Sequence, residues 1–287
     1  MPELPEVETV RAGLAPALEG LRIGAVALSR PDLRFPFPER FAARLRGAKV
    51  LRLHRRGKYL LADLDTGEVW LSHLGMTGRF SVIAADEAAR PGDFYYAAPP
   101  DPKHTHVVLE IEGGGRLEYN DPRRFGYMDL LTSEGWEQSA HFAGMGPEPL
   151  SNGFSGPVLA AALAGRVQPI KTLLLDQRIV AGLGNIYVCE ALFLAGIHPT
   201  RAGGKISARR LEALAGHVRD VLTAAIAAGG SSLRDYAQAD GALGYFQHTF
   251  RVYDREAEAC VRPGCADSVR RLVQGGRSTF YCATCQT

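Results

Sequence analysis

The chain has 287 residues, enough for about two domains with a sizeable core. Its 46% hydrophobic and 22% charged content is that of a globular protein, and no apolar run approaches the roughly 18 residues of a membrane span, which excludes fibrous, disordered and membrane-spanning readings. Lys and Arg number 33 against 31 Asp and Glu, so the net charge of +2 is by itself a weak argument for a polyanionic partner.

The opening MPELPEVE carries acids and no basic-then-apolar stretch, so no secretory signal is read and a cytoplasmic location is expected. Val7, Val10, Leu14 and Leu18 recur at helical spacing, with Pro5 in the first turn and Glu3 and Glu6 near the positive end of the helix dipole. From Arg30 to Lys58 ten basic residues face two acids, a local balance of +8. Short alternating or apolar runs then follow one another to about residue 130: VALSR, KVLRLHRR, KYLLADL, EVWLSHL, GRFSVIA, HVVLEIE and RLEYN, at intervals typical of a sandwich or barrel. The stretch SEGWEQSAHFAGMGPEPLSNG reads as a linker, after which Ala- and Leu-rich segments near 157–164, 170–175, 186–195 and 207–228 predict helices. A Ser-, Asp- and Gly-rich segment to about Tyr245 reads as a loop, and the tail from 250 has little apolar content.

Four motifs carry chemistry. Cys260, Cys265, Cys282 and Cys285 form C-x4-C-x16-C-x2-C, two close pairs whose thiolates can converge tetrahedrally on a structural zinc ion; fortuitous cysteines or disulfides are the alternative. Four thiolates leave no open coordination position, so such a zinc would hold a fold and catalyse nothing. Arg262, Arg270, Arg271 and Arg277 make the same tail basic, either to reach a phosphate backbone or as a solvated face. The turn Gly182-Leu183-Gly184-Asn185 before an apolar helix offers free amides to an anion, or is an ordinary capped turn, with Cys189 a buried thiol on that helix. Asn120 to Gly126 (NDPRRFG) puts two arginines and an aromatic on a tight turn, able to address bases or simply solvated. In Arg55-Arg56-Gly57-Lys58-Tyr59 neighbouring cations favour a neutral lysine amine, unless the stretch is only a basic patch.

Taken in order, MPELPEVE, RRGKYL, HLGMTG, NDPRRFG, GLGNIY with IHP, and the terminal FYCATCQ resemble the bacterial formamidopyrimidine-DNA glycosylases, over residues 2 to 286. The resemblance implies an α+β multidomain fold: an N-terminal β-sandwich with an N-terminal helix over 1–131, a linker over 132–149, a helix-two-turn-helix domain with a lesion-capping loop over 150–249, and a β-hairpin zinc finger over 250–287. It implies removal of 8-oxoguanine and formamidopyrimidines from duplex DNA, followed by β,δ-elimination at the abasic site. The partner is damaged double-stranded DNA, the cofactor one structural zinc per chain, and the protein is expected to act as a cytoplasmic, nucleoid-associated monomer with no membrane contact. Pro2 matches the nucleophile, Glu3 the proton-transfer carboxylate, Lys58 the lysine of β-elimination, and Arg277 the arginine of the finger hairpin. Among DNA-binding positions, Met76, Arg123 and Phe125 match a trio that fills the void left by the flipped base. His104, Arg166, Lys171 and Asn185 match phosphate contacts, and Glu6 a second acid near the site. Two departures stand out: four residues rather than two separate the first cysteine pair, and Arg166 replaces the usual lysine.

Two alternatives share part of this pattern. The sister enzyme endonuclease VIII shares the proline, glutamate and finger but acts on oxidised pyrimidines; Leu4 and the Met-Arg-Phe trio favour the purine branch. A DNA-binding architectural protein would need none of Pro2, Glu3, Lys58 and Arg277.

Overall fold

The computed structural model describes residues 2–83, 101–231 and 244–287. The expected α+β architecture is present, in two compact units: one of residues up to 143 with 228–231 and 244–245, the other of 144–227 with 246–287. No helix among the described residues is long and apolar enough to cross a membrane.

In the first unit, α1 (Leu4–Leu18) precedes eight strands: β1 (Ile23–Leu28), β2 (Val50–Arg56), β3 (Tyr59–Leu64), β4 (Glu68–His73), β5 (Arg79–Ile83), β6 (Thr105–Ile111), β7 (Gly115–Asn120) and β8 (Tyr127–Thr132). They form two four-stranded sheets in the orders β1-β6-β7-β5 and β2-β3-β4-β8, every pairing antiparallel. The predicted stripe of α1 is buried as read, and Val7, Val10, Leu14 and Leu18 join one core with Leu60 and Trp70 of one sheet and Phe80, Leu109 and Leu117 of the other. A sheet must cover its apolar face, and here each sheet and the helix cover one another.

Three features of this unit were not anticipated. The short helix α2 (Phe41–Leu45) interrupts the basic stretch, anchored by buried Phe41 and Leu45. β8 is a strand whose Met128 and Leu130 alternate inward. The first half of the expected linker is packed: Trp136 stands edge-on to His54 at 5.5 Å and to Phe142 at 4.9 Å, and Phe142 is buried. Nor is the expected 150–249 block one unit. Residues 228–231 and 244–245 belong with the first, since Ser231 bridges Tyr245 and donates its amide and hydroxyl to Glu6 Oε1 at 2.9 and 3.1 Å. Most of the predicted lesion-capping loop, 232–243, lies outside the described residues.

The second unit holds α3 (Gly156–Leu163), α4 (Ile170–Leu174), α5 (Asn185–Leu194) and α6 (Ala208–Ala227), close to the predicted spans, and the hairpin β9 (Val269–Gln274) with β10 (Arg277–Cys282). One face of α6 buries Leu211, Leu214, Val218, Val221 and Leu222, the spacing of an amphipathic helix. By contrast α5 is buried nearly all round, from Ile186 to Phe193, as befits a helix at the centre of a bundle. Its Cys189 is enclosed as expected.

Candidate active site and metal centre

The start of α1 is enclosed: Pro2, Glu3 and Glu6 are all buried. Glu6 works in two directions there. Its Oε2 accepts from the Glu3 amide at 2.8 Å, the backward bond of a capping box, while Oε1 holds Ser231. A carboxylate so engaged acts on the protein's own backbone, so Glu6 positions both Glu3 and the segment beginning at residue 228.

Lys58 is half-buried on the tight turn between β2 and β3. Arg55 shapes that turn by donating to the Gly57 carbonyl at 2.9 Å, and ties it to α1 through Glu8 at 3.1 Å. Nearby His73 is pushed down to about 4, first by burial and then by the cations of Lys58, Arg34 and His141, so its ring is neutral at neutral pH. Much of the +8 stretch is already paired: Arg30 with Asp32, Arg44 with Glu68, Arg52 with Asp63 and Arg55 with Glu8.

Met76, Arg123 and Phe125 converge on a tip built from the loops after β4 and β7. Asp121, fully buried, accepts from Thr77 Oγ1 at 2.5 Å, from the Gly126 amide at 2.8 Å and from the Tyr119 hydroxyl at 3.4 Å. Thr77 Oγ1 in turn accepts from the Arg123 amide at 3.3 Å. Gly75, at φ +63°, lets the two loops touch, since a Cβ there would stand 2.6 Å from the Phe125 carbonyl oxygen. Held this way, Arg123 and Phe125 are exposed, the guanidinium 4.7 Å from the ring centroid, with Met76 half-buried on the adjoining loop. His104 is half-buried at the base of the tip, where its carbonyl accepts from the Asp121 amide at 2.9 Å. Thr77 and Asp121 lie inside motifs the sequence had flagged, but their bond was not read from it.

In the second unit the two turns between α4 and α5 are wired by Gln177, which accepts from the Gly182 amide at 2.7 Å and donates to the carbonyls of Leu175 and Leu183. Arg166 is exposed on the loop after α3. Lys171 and Asn185 meet at β10: the Lys171 ammonium donates to the Ser278 carbonyl at 2.9 Å and to Thr279 Oγ1 at 2.6 Å, and Asn185 Nδ2 donates to the same carbonyl at 2.9 Å. Lys171 is fully enclosed, a placement that a predicted phosphate contact did not suggest. Both residues therefore hold the hairpin immediately beside Arg277, which is exposed. Glu190, also enclosed, accepts from the amides of Arg251, Val252 and Tyr253 at 2.9–3.0 Å and so fastens the start of the tail to α5.

The four tail cysteines converge, their sulfur atoms all within 4.8 Å of one another. Cys260 and Cys285 are 3.8 Å apart and Cys265 and Cys282 3.7 Å, far beyond a disulfide bond. Thiolates at about 2.3 Å from a central ion stand about 3.8 Å apart in a tetrahedron, so the set fits a metal. The four-residue spacer does not prevent this, because Gly264 at φ +77° turns the chain back to Cys265.

Comparison with known proteins agrees with this geometry. Residues 1–128 match the formamidopyrimidine-DNA glycosylase N-terminal domain and 145–237 the H2TH domain of the same enzymes. The formamidopyrimidine-DNA glycosylase of Phenylobacterium zucineum is 59% identical and that of Caulobacter vibrioides 57%, each over 286 residues and 100% of both chains. The crystal structure of the MutM (Fpg) protein of Thermus thermophilus has a TM-score of 0.84 at 39% identity, covering 99% of this chain and 98% of that one. The Lactococcus lactis Fpg in complex with DNA containing an abasic site has a TM-score of 0.86 at 32% identity, covering 100% of each chain. With both of its units matched and its full length aligned, the chain belongs to the formamidopyrimidine-DNA glycosylase family.

Proposed function

We propose that this protein excises oxidised purines, 8-oxoguanine and formamidopyrimidines, from duplex DNA and cleaves the resulting abasic site. The observation that carries the reading is the Pro2-Glu3 start on a chain 59% identical to a named formamidopyrimidine-DNA glycosylase over its whole length. With Met1 removed, Pro2 presents an α-amine, whose ordinary pKa of roughly 7.7–8.0 leaves a useful unprotonated fraction where a lysine near 10.4 has little. Its nitrogen attacks C1′ of the sugar, the base leaves with a proton, the C1′–O4′ bond then opens with protonation of O4′, and the resulting iminium acidifies the C2′ proton. Glu3 transfers protons at the sugar, Lys58 serves β-elimination of the 3′ phosphate, and Arg277 assists loss of the 5′ phosphate.

A stacked base is out of reach, so the nucleotide must be flipped at a cost of a few kcal/mol. Phe125 wedges the step, Met76 fills the space, and Arg123 addresses the orphaned cytosine. His104, Arg166 and Asn185 bind phosphates, whereas Lys171 and Glu6 act by positioning the hairpin and the N-terminus. Zinc in the four-cysteine site holds the finger that carries Arg277, its four thiolate positions filled by protein.

Borohydride added during reaction with duplex containing 8-oxoguanine opposite cytosine is expected to trap a covalent protein–DNA adduct. Neither adduct nor strand cleavage would overturn the enzyme reading, and trapping only on oxidised pyrimidine would move the chain to the endonuclease VIII specificity. Metal analysis should find about one zinc per chain.

A further inference from the structure

One loop beside the tip is used by none of these steps. Residues 30–37 form a third wall, held by the Arg34 amide donating to the Gly126 carbonyl at 3.0 Å, by buried Leu33, and by the Phe35 ring standing edge-on to Tyr127 at 5.2 Å. Between this wall and the turn at 121–126 lies an open cavity of about 420 Å³, lined by Asp32, Leu33, Arg34, Arg123, Arg124 and Phe125. Its charge is one-sided. The Asp32 carboxylate is taken by Arg30 at 2.6 Å, and among the described residues no carboxylate pairs with Arg34, Arg123 or Arg124. Two guanidinium groups lie over exposed aromatic rings, Arg123 over Phe125 and Arg34 over Phe35 at 5.4 Å from the centroid. Stacking by its face fixes a guanidinium while leaving its in-plane N–H fork for a planar or tetrahedral oxyanion. Arg124 holds the turn at φ 56°, a conformation that non-glycine residues seldom take.

We propose that this cavity binds a phosphodiester of the DNA backbone and that Arg34 is its principal ligand, a contact additional to those named above. The inference rests on the DNA-glycosylase reading. The bond from Arg34 to Gly126 is made by the main chain, so alanine removes the guanidinium and leaves the loop anchored by that amide and by Phe35 against Tyr127.

The test is the salt dependence of binding to a duplex carrying a tetrahydrofuran abasic analogue. One lost phosphate contact lowers the slope of log K against log salt by about 0.9, which corresponds to roughly eightfold weaker binding at 0.1 M salt relative to a 1 M reference. Arg34→Ala is expected to show that loss, and Arg34→Lys to recover the slope. Single methylphosphonate linkages, moved along each strand, should reveal one position whose neutralisation weakens wild type and not Arg34→Ala; its strand names the source of the phosphate. If wild type binds the duplex and Arg34→Ala has the same slope and affinity, or if no linkage behaves this way, the proposal is overturned and the DNA reading stands. A wild type that binds no duplex overturns the DNA reading itself.

Discussion

The sandwich and the cysteine tail solve the same problem with different physics. In the first unit α1 and two sheets enclose a continuous apolar core from Val7 to Leu130. The tail buries a small cluster, Val252, Val269 and Phe280 with Tyr253 half-buried beside them, against Cys189 and Phe193 of α5, and its own cysteines complete it. Where apolar residues suffice, shape follows from burial; where they do not, the Glu190 carboxylate fixes the chain and the converged thiols offer a site for a metal. The parts proposed to carry chemistry use polar anchors even on the sandwich, where the tip hangs on Asp121 and the N-terminus on Glu6.

The sharpest way to break this contrast is to remove the proposed metal. Structural zinc contributes on the order of 10 kcal/mol to the fold of a finger. Chelation, or Cys282→Ala, should unfold the tail while both tryptophans, Trp70 and Trp136, keep their native fluorescence, because both belong to the first unit. A tail that keeps its amide-exchange protection without metal would show that burial alone is enough there. The reciprocal change, Leu14→Ala in the sandwich core, should cost about 3 kcal/mol by the tryptophan signal and leave one metal per chain bound.

Acid distinguishes the two regions again. His73 is held near 4 when folded against an ordinary 6.5, so below pH 6.5 the unfolded chain takes up a proton that the folded one refuses. Its contribution is fully present above pH 6.5 and is lost as pH falls toward 4, about 3 kcal/mol in all at 1.36 per unit. His73→Phe should flatten the pH dependence of the urea midpoint of the first unit across that window. Equal pH dependence in both proteins would mean that the buried imidazole is not the source.

These contrasts explain what could be read from the sequence. Helices α3 to α6 were legible because apolar period and Gly or Pro stops agree, and the finger because cysteine spacing has few other uses. The strand β8 carried an alternating signal, Met128 and Leu130 against Asp129, but followed the motif turn too closely to separate from it. Trp136 and Phe142 sat in a polar stretch that looked like linker, and only their partners His54 and Tyr59, far away in sequence, show why they are ordered. The local balance of +8 does not show how much of that charge is paired, since acids as remote as Glu8 and Glu68 neutralise part of it. Burial of Lys171 was invisible for the same reason: Ser278 and Thr279 are more than a hundred residues away.

The smallest expected effect probes the tip, where polar fixation sits on an apolar base. Thr77→Val keeps the shape of the side chain but removes the hydroxyl that donates to Asp121 and accepts from the Arg123 amide. Asp121 keeps its bonds from Gly126 and Tyr119, so the loss should be about 1 kcal/mol of stability. Function should suffer more than stability, because Arg123 is aimed through that amide. Preference for cytosine opposite the lesion is expected to fall several-fold, while the excision rate on the best substrate changes less. Unaltered discrimination would mean that the Gly75 contact and the Asp121 bonds to Gly126 and Tyr119 alone aim the tip, and that here too packing, as in the core beneath it, sets the geometry.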